Sequence, residues 1–330
     1  MDVVQFGASG LRVSEICLGT MTFAREADRD TSFAVMDLYR DKGGFFLDTA
    51  NAYSRGATEE TVGQWMSDRG VRSEVVLATK VYGTMGPGPN EGGLSRHHIV
   101  EAVEESLRRL KTDYIDLYQI HRWSPHAPVH ETARALDDLV RSGKVRYIGC
   151  SNLRGYQLAA YLDYQRSHLL SPFVSIQPAY NALNRSMELE VFPLVEQRGV
   201  AVISYNPLAG GMLTGKYQKG AELPEGARMQ AHEFYFKRYY TEQALDVTER
   251  FVAHAKEVGL TPAQLALNWV RADERITCPI VGARNADQLA DSLGALDRRL
   301  TAEERAAVPA VPTGRWVGED PVYDRTPYRA

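Results

Sequence analysis

The chain has 330 residues, 44% hydrophobic and 24% charged, an ordinary globular composition with room for one large α/β barrel or two average domains. A net charge of -4 offers no basic surface for nucleic acid or an anionic membrane. No run of about 18 apolar residues is present to span a bilayer, and MDVVQFGASG lacks a basic segment followed by an apolar core, so the expectation is a cytoplasmic protein.

In chain order, residues 3–13 read as a hairpin turned at Ala8–Gly10, placed to plug the bottom of a barrel. Short β-prone stretches then recur about every thirty residues: Ile16–Gly19, Phe45–Asp48, Val75–Lys80, Tyr114–His121, Val145–Cys150, Phe173–Gln177, Val200–Tyr205 and, after a longer gap, Ile276–Val281. Most gaps carry a helical pattern. Ser95 can cap a helix whose Ile99, Val103, Leu107 and Leu110 share one face. Thr31–Lys42, Pro128–Ser142 followed by Gly143, and Met187–Arg198 followed by Gly199 behave similarly. The pattern predicts a closed (β/α)8 TIM barrel forming a single domain over 1–330, with long loops at the C-terminal face of the strands. An open doubly wound sheet is the alternative, because local pattern does not show closure. A long insertion at 207–241 leads into a helix over Gln243–Val258, and the tail 301–330 reads as irregular.

Cys17, Cys150 and Cys278 lie far apart in apolar stretches and read as reduced core thiols. His121, His126 and His130 are close in sequence, but Pro125 and Pro128 break any helix that would align them, so no metal site is expected.

The stretch Phe45–Tyr53, FFLDTANAY, is the focus of the chain. A buried strand ends on Asp48 and a short turn presents Tyr53. Alone, these would be a cap and a loop tyrosine. The other strand ends change that reading: Thr20, Lys80, His121, Ser151–Asn152, Gln177, Tyr205–Asn206, then Gly282 and Arg284. In such a barrel, chemistry gathers at that rim. Asp48, Tyr53, Lys80 and His121 form one set on neighbouring strands.

With GTMTF, LDTANAY, LATK, YIDLYQIH, YIGCSN, QPAYN, YNPLAGGMLTGKY and PIVGAR in order, the sequence resembles the aldo-keto reductases over about residues 3–300. It is similar to their bacterial, aflatoxin-aldehyde-reductase and potassium-channel-β-subunit branch. The resemblance implies an NADP-dependent oxidoreductase that reduces aldehydes or ketones by hydride transfer. In that reading Tyr53 is the general acid, Lys80 stabilises the phenolate, Asp48 holds Lys80 and His121 orients the carbonyl.

A G-x-G-x-x-G fingerprint is absent, which fits cofactor binding at the strand rim. The resemblance places Ser151, Asn152 and Gln177 on the carboxamide of NADP(H) and stacks Tyr205 on the nicotinamide ring. Thr20 and Met21 after the first barrel strand also face this site. Gly210–Lys216, GGMLTGK, matches a P-loop up to its lysine, but Tyr217 stands where Ser or Thr would bind Mg²⁺. The run instead suits a dinucleotide pyrophosphate held by Asn206, Pro207, Leu208, Gly210, Leu213, Gly215 and Lys216. Gly282-Ala283-Arg284 is expected to open a short helix. The resemblance gives Arg284 the adenosine 2′-phosphate and sets Gln288, Asp291 and Ser292 near adenine, with Ser292 replacing the Asn of many relatives.

Expected substrate walls are Met21, Phe23, Tyr82 and Trp123. Residues 228–240, RMQAHEFYFKRYY, read as a lid over the site or a subunit contact. A small-molecule carbonyl substrate is expected, with homo-oligomerisation left open. An NADPH-binding regulatory or accessory subunit is the alternative of another class, and a dedicated ketosugar reductase is a narrower form of the first.

Overall fold

The structure, a computed structural model, describes residues 1–318. Val3–Gln5 (β1) and Arg12–Ser14 (β2) pair antiparallel, with Val4 opposite Val13. Their turn depends on Gly7 at φ +57, where a Cβ would meet the Gly199 carbonyl oxygen at 2.5 Å. Only glycine suits that combination. Ala8 N–H donates to the same oxygen at 2.7 Å, tying the hairpin to the barrel. Phe6 is fully buried edge-on to Phe46, among Cys17, Ala78, Leu117, Ala201 and Cys278 near the strand starts. The hairpin therefore plugs the barrel bottom.

Eight parallel strands close the barrel: Cys17–Gly19 (β3), Phe46–Asp48 (β4), Val76–Val81 (β5), Ile115–Ile120 (β6), Val145–Ser151 (β7), Phe173–Gln177 (β8), Ala201–Ser204 (β9) and Cys278–Gly282 (β10), with β10 pairing both β9 and β3. Closure removes the open-sheet alternative. The three cysteines are buried free thiols.

The surrounding helices follow the capping chemistry of the sequence. Arg29–Asp41 (α1) starts at Asp28, whose carboxylate accepts Thr31 N–H. Ala57–Arg69 (α2) follows the Tyr53 turn. Arg96–Leu110 (α3) is capped by Ser95, as expected. Val129–Arg141 (α4) and Gly155–Ser167 (α5) complete the next two repeats. Between β8 and β9 the expected helix over 187–198 is split into a 3-10 turn at Ser186–Glu188 and a helix at Val191–Arg198 (α6). Pro193 has no N–H to donate, so the helix begins where Pro193 falls in its first turn.

The insertion after β9 holds a 3-10 turn at Ala209–Thr214 and two short helices, Arg228–Ala231 (α7) and Glu233–Tyr239 (α8). Glu242–Glu257 (α9) and Pro262–Arg271 (α10) precede β10. The helix expected to open at Gly282–Arg284 instead begins later, as Ala286–Leu293 (α11). Asn285 is its cap and accepts Gln288 N–H, leaving Arg284 in the connecting loop.

The tail corrects a second expectation. Thr301 and Glu304 form a capping box for Ala302–Ala307 (α12). The chain beyond docks in order: Val311 N–H donates to the Ala182 carbonyl, Trp316 bridges Asn184, and Trp316 Nε1 donates to the Arg238 carbonyl at 3.2 Å. The rest of the tail expectation, 319–330, lies outside the described residues. Among the described residues no helix is long and apolar enough to cross a membrane.

Candidate active site

Strand alternation on β5 sends Thr79 outward and Lys80 into the barrel. Thr79 donates to Glu59 of α2, which is itself paired with Arg109 of α3 at 2.7 Å in a buried bridge. Lys80 meets Asp48, delivered by β4, with Nζ–Oδ2 2.5 Å, and also donates to the Thr49 carbonyl at 2.8 Å. Its third neighbour is the Tyr53 hydroxyl at 3.3 Å. The other Asp48 oxygen accepts amide N–H groups from Gln119 at 3.1 Å and Gln177 at 2.8 Å. The carboxylate is thus held from three strands.

Tyr53 reaches that position through a strained turn. Ser54 and Arg55 follow at φ 47 and 54, and Gly56 at φ 97 ends the excursion. Left-handed conformations of residues other than glycine cost roughly 1–2 kcal/mol each, and such strain gathers at functional sites. Two hydroxyls, of Ser54 and Thr58, hold the turn by donating to the Phe23 carbonyl. The His121 ring stands edge-on to the Tyr53 ring at 5.9 Å.

Burial raises the Tyr53 phenol above its ordinary value, and the Lys80 charge opposes that rise. Burial disfavours the Lys80 ammonium, but Asp48 and then Tyr53 outweigh it and leave the amine above its ordinary value. Burial, reinforced by Lys80 and Arg122, holds His121 well below the ordinary imidazole range, so it is neutral at pH 7.

These groups form the floor of a cavity of about 570 Å³ at the strand C-terminal ends. Asp48, Tyr53 and His121 line it, with Lys80 buried directly behind. Of the residues expected at a cofactor, Thr20, Met21, Ser151, Asn152, Gln177, Tyr205, Asn206, Pro207, Leu208, Gly210, Lys216, Gly282, Arg284, Gln288, Asp291 and Ser292 line it as well. Thr20 is pinned by donating N–H and hydroxyl to the Asp48 carbonyl. Asn152, at φ 57, donates to the His121 carbonyl and accepts from the Tyr205 hydroxyl at 2.8 Å.

Two of the expected set stand back from the cavity. Leu213, within the 3-10 turn, is fully buried, and Gly215 caps that turn at φ 81 against Val252. None of the three expected aromatic walls is among the residues lining the cavity. Phe23 is fully buried because the loop after β3 folds it inward, bridging Ala27, so its carbonyl rather than its ring serves the site. Trp123 packs edge-on to Tyr161 in the core, where so large a ring gains most from burial. Tyr82 lies outside the cavity lining, beneath the Arg122 guanidinium at 5.3 Å.

The 228–240 segment lies over the mouth. Arg228, Phe234, Tyr235 and Arg238 line the cavity, as do Thr22, Arg122, Gly211 and Thr214, none of which sequence reasoning had assigned individually. For Arg228, Phe234, Tyr235 and Arg238 the signal was present only as the density of aromatic and basic residues in the insertion.

A dinucleotide suits this lining. Gly210 and Gly211 stand side by side at φ 66 and 93, and a Cβ on Gly210 would strike Tyr235 at 2.7 Å. That gives close backbone access of the kind phosphates require. Lys216 is drawn below the ordinary lysine range by burial and by Arg284 and Arg228 beside it. Three cations gathered at one end of a cavity suit a phosphorylated ligand.

The sequence profile of the Aldo/keto reductase family matches residues 15–311. The chain belongs to the aldo/keto reductase family. Among curated relatives in similar register, "Uncharacterized oxidoreductase YrpG" of Bacillus subtilis is 39% identical, covering 92% of this chain and 93% of that protein. A "Probable voltage-gated potassium channel subunit beta" of Arabidopsis thaliana is 36% identical over 90% and 92% of the two chains. "Norsolorinic acid reductase B" of Dothistroma septosporum is 33% identical, over 90% of this chain and 77% of that one. The family and its oxidoreductase-named members support carbonyl reduction in general as the chemistry of this barrel.

Proposed function

We propose that the protein is an NADPH-dependent reductase of aldehyde or ketone groups, with Tyr53 as general acid. The observation that carries this reading is Lys80 Nζ set between Asp48 Oδ2 at 2.5 Å and the Tyr53 hydroxyl at 3.3 Å on the cavity floor. A phenol is a reluctant donor, and a fixed ammonium beside it stabilises the phenolate left behind. Asp48 keeps that ammonium charged and aimed. Neutral His121 offers a hydrogen bond to the carbonyl oxygen and orients it toward Tyr53.

When bound, the dinucleotide supplies the hydride. Ser151 and Asn152 would hold its carboxamide. Gln177 donates its amide N–H to Asp48, so its carbonyl oxygen is the group left to accept from that carboxamide. Tyr205 would stack on the nicotinamide. The Gly210–Gly211 backbone with Lys216 would take the pyrophosphate, Arg284 the 2′-phosphate, and Gln288, Asp291 and Ser292 the adenine end. Leu213 and Gly215 shape this loop from behind.

The test is NADPH oxidation by purified protein against a panel of aldehydes, ketones and ketosugars. Turnover on the panel supports the reading, and activity confined to ketosugars narrows it. Tight NADPH binding with no turnover on any member favours the accessory-subunit alternative, which the similarity to a potassium channel subunit β keeps open. Cofactor choice rests on Arg284. Paired hydrogen bonds to a charged phosphate contribute about 1.5–3 kcal/mol, a preference of roughly 10- to 150-fold. Arg284→Ala should therefore weaken NADPH much more than NADH in titrations at fixed ionic strength. Equal weakening of both would remove Arg284 from the phosphate.

A further inference from the structure

Beneath the cavity floor an amide sits where the barrel interior would ordinarily hold an aliphatic side chain. Along β6, Leu117 and Gln119 are two residues apart and face inward together. Leu117 packs with Phe6, Phe46 and Ala201 around the plug. Gln119, in register with Lys80 of β5, is fully buried and absent from the cavity lining. Interior layers of such barrels are dominated by Val, Ile and Leu, and burying an amide is costly unless its polar atoms are hydrogen-bonded. Gln119 therefore calls for a role that leucine would not fill.

Asp48 dictates how that amide points. A carboxylate only accepts hydrogen bonds, so Gln119 Nε2 at 3.1 Å and Gln177 Nε2 at 2.8 Å both turn an N–H toward Oδ1. The Gln119 carbonyl oxygen is then left to accept the second Gln177 N–H, at 3.5 Å. This contact spans β7, which at that level carries only Gly149, where a Cβ would strike Ser175 Oγ at 2.5 Å. Gln177 thus uses both amide hydrogens inside the barrel, and its carbonyl oxygen is the end left for the cavity it lines. One hydrogen bond would leave the Gln177 amide free to swivel, and the second locks it. Turning it over would set its carbonyl against both Asp48 Oδ1 and the Gln119 carbonyl.

We propose that Gln119 is a positioning residue: it locks the Gln177 amide with its carbonyl oxygen toward the cavity, and so sets how strongly the site reads the carboxamide of a nicotinamide. This rests on the dinucleotide reading and assigns a part in it to a residue that does not meet the dinucleotide. Met or Leu at 119 would keep the layer filled and leave Gln177 held by Asp48 alone.

The test compares NADP⁺ with its 3-acetylpyridine analogue, in which a methyl group replaces the NH₂ of the carboxamide. Both carry the same pyrophosphate and 2′-phosphate, so contacts at the adenine end cancel in the ratio of their Kd values. Titration by quenching of intrinsic fluorescence needs no turnover. Wild type should bind NADP⁺ about 3- to 10-fold more tightly than the analogue, the difference one hydrogen bond makes. Gln119→Met should bring the ratio close to one. Its affinity for 2′,5′-ADP, which occupies only the adenine end, should stay at the wild-type level and so report an intact fold. Gln119→Leu is the second variant, should Met at 119 fail to fold, and is expected to behave the same way. A ratio that persists in a variant that binds 2′,5′-ADP normally overturns the proposal and leaves the cofactor reading standing. A wild-type ratio of one also overturns it, since Gln177 would then not read the carboxamide. Failure of wild type to bind either dinucleotide defeats the cofactor reading itself, and the proposal with it.

Discussion

Lys80 carries its charge in a place closed to water, and Asp48 is what makes that tolerable. Removing one member of a buried pair strands the other, at a cost of about 3–5 kcal/mol. Lys80→Met should therefore lose both carbonyl reduction and roughly that much stability in urea unfolding. A variant as stable as wild type would mean that Asp48 does not depend on Lys80. Tyr53 fixes the pH behaviour. Its phenol is raised by burial, and reduction requires it protonated, so the chemical step should stay flat through neutrality and fall only on the alkaline side. Alcohol oxidation requires the phenolate and should rise with pH. Because His121 is already neutral there, no inflection is expected near an ordinary imidazole value of about 6.5. A fall in reduction across that value would contradict the assigned protonation states. All four of these residues were legible in the sequence, because three end strands and Tyr53 follows one by a short turn. Arg238 was not, since its place depends on how the insertion and Trp316 fold back together.

Helices α2 and α3 approach so closely at Gly63 that a Cβ there would lie 2.4 Å from the Arg109 carbonyl oxygen and 2.7 Å from Leu110 backbone atoms. Alanine inside a helix ordinarily gains about 1 kcal/mol over glycine. Here overpacking against backbone, worth about 1–3 kcal/mol, should win. Gly63→Ala is expected to lower the urea midpoint and loosen the Glu59–Arg109 bridge beneath the Tyr53 turn. A raised midpoint would show that the helices can part freely. Strand and helix order was readable because the apolar periods are regular and the caps at Ser95 and Gly199 are explicit. Phe23 misled, because its loop folds back on Ala27 and reverses the expected side-chain direction. In the tail, the prolines after Ala307 obscured the Thr301–Glu304 capping box.

At the scale of the molecule, the closed barrel fixes the floor of the site, and the insertion after β9, tied to the loops after β3 and β10, forms its roof. Arg25 meets His232, Arg228 lies 3.7 Å from Glu26, and Arg284 donates to the Gly226 carbonyl at 3.2 Å. Repeat spacing revealed the eight strands, but closure and the roof are long-range pairings with no local signal. The proposed reaction unites floor and roof: the ligand lies between them, and the proton comes from Tyr53 below. The most direct test is a single turnover, with wild type and Tyr53→Phe each preloaded with NADPH and mixed with an aldehyde that wild type reduces. Both proteins should bind NADPH equally, and the variant should transfer hydride about 10²–10⁴-fold more slowly. Near-wild-type transfer in Tyr53→Phe would contradict the account.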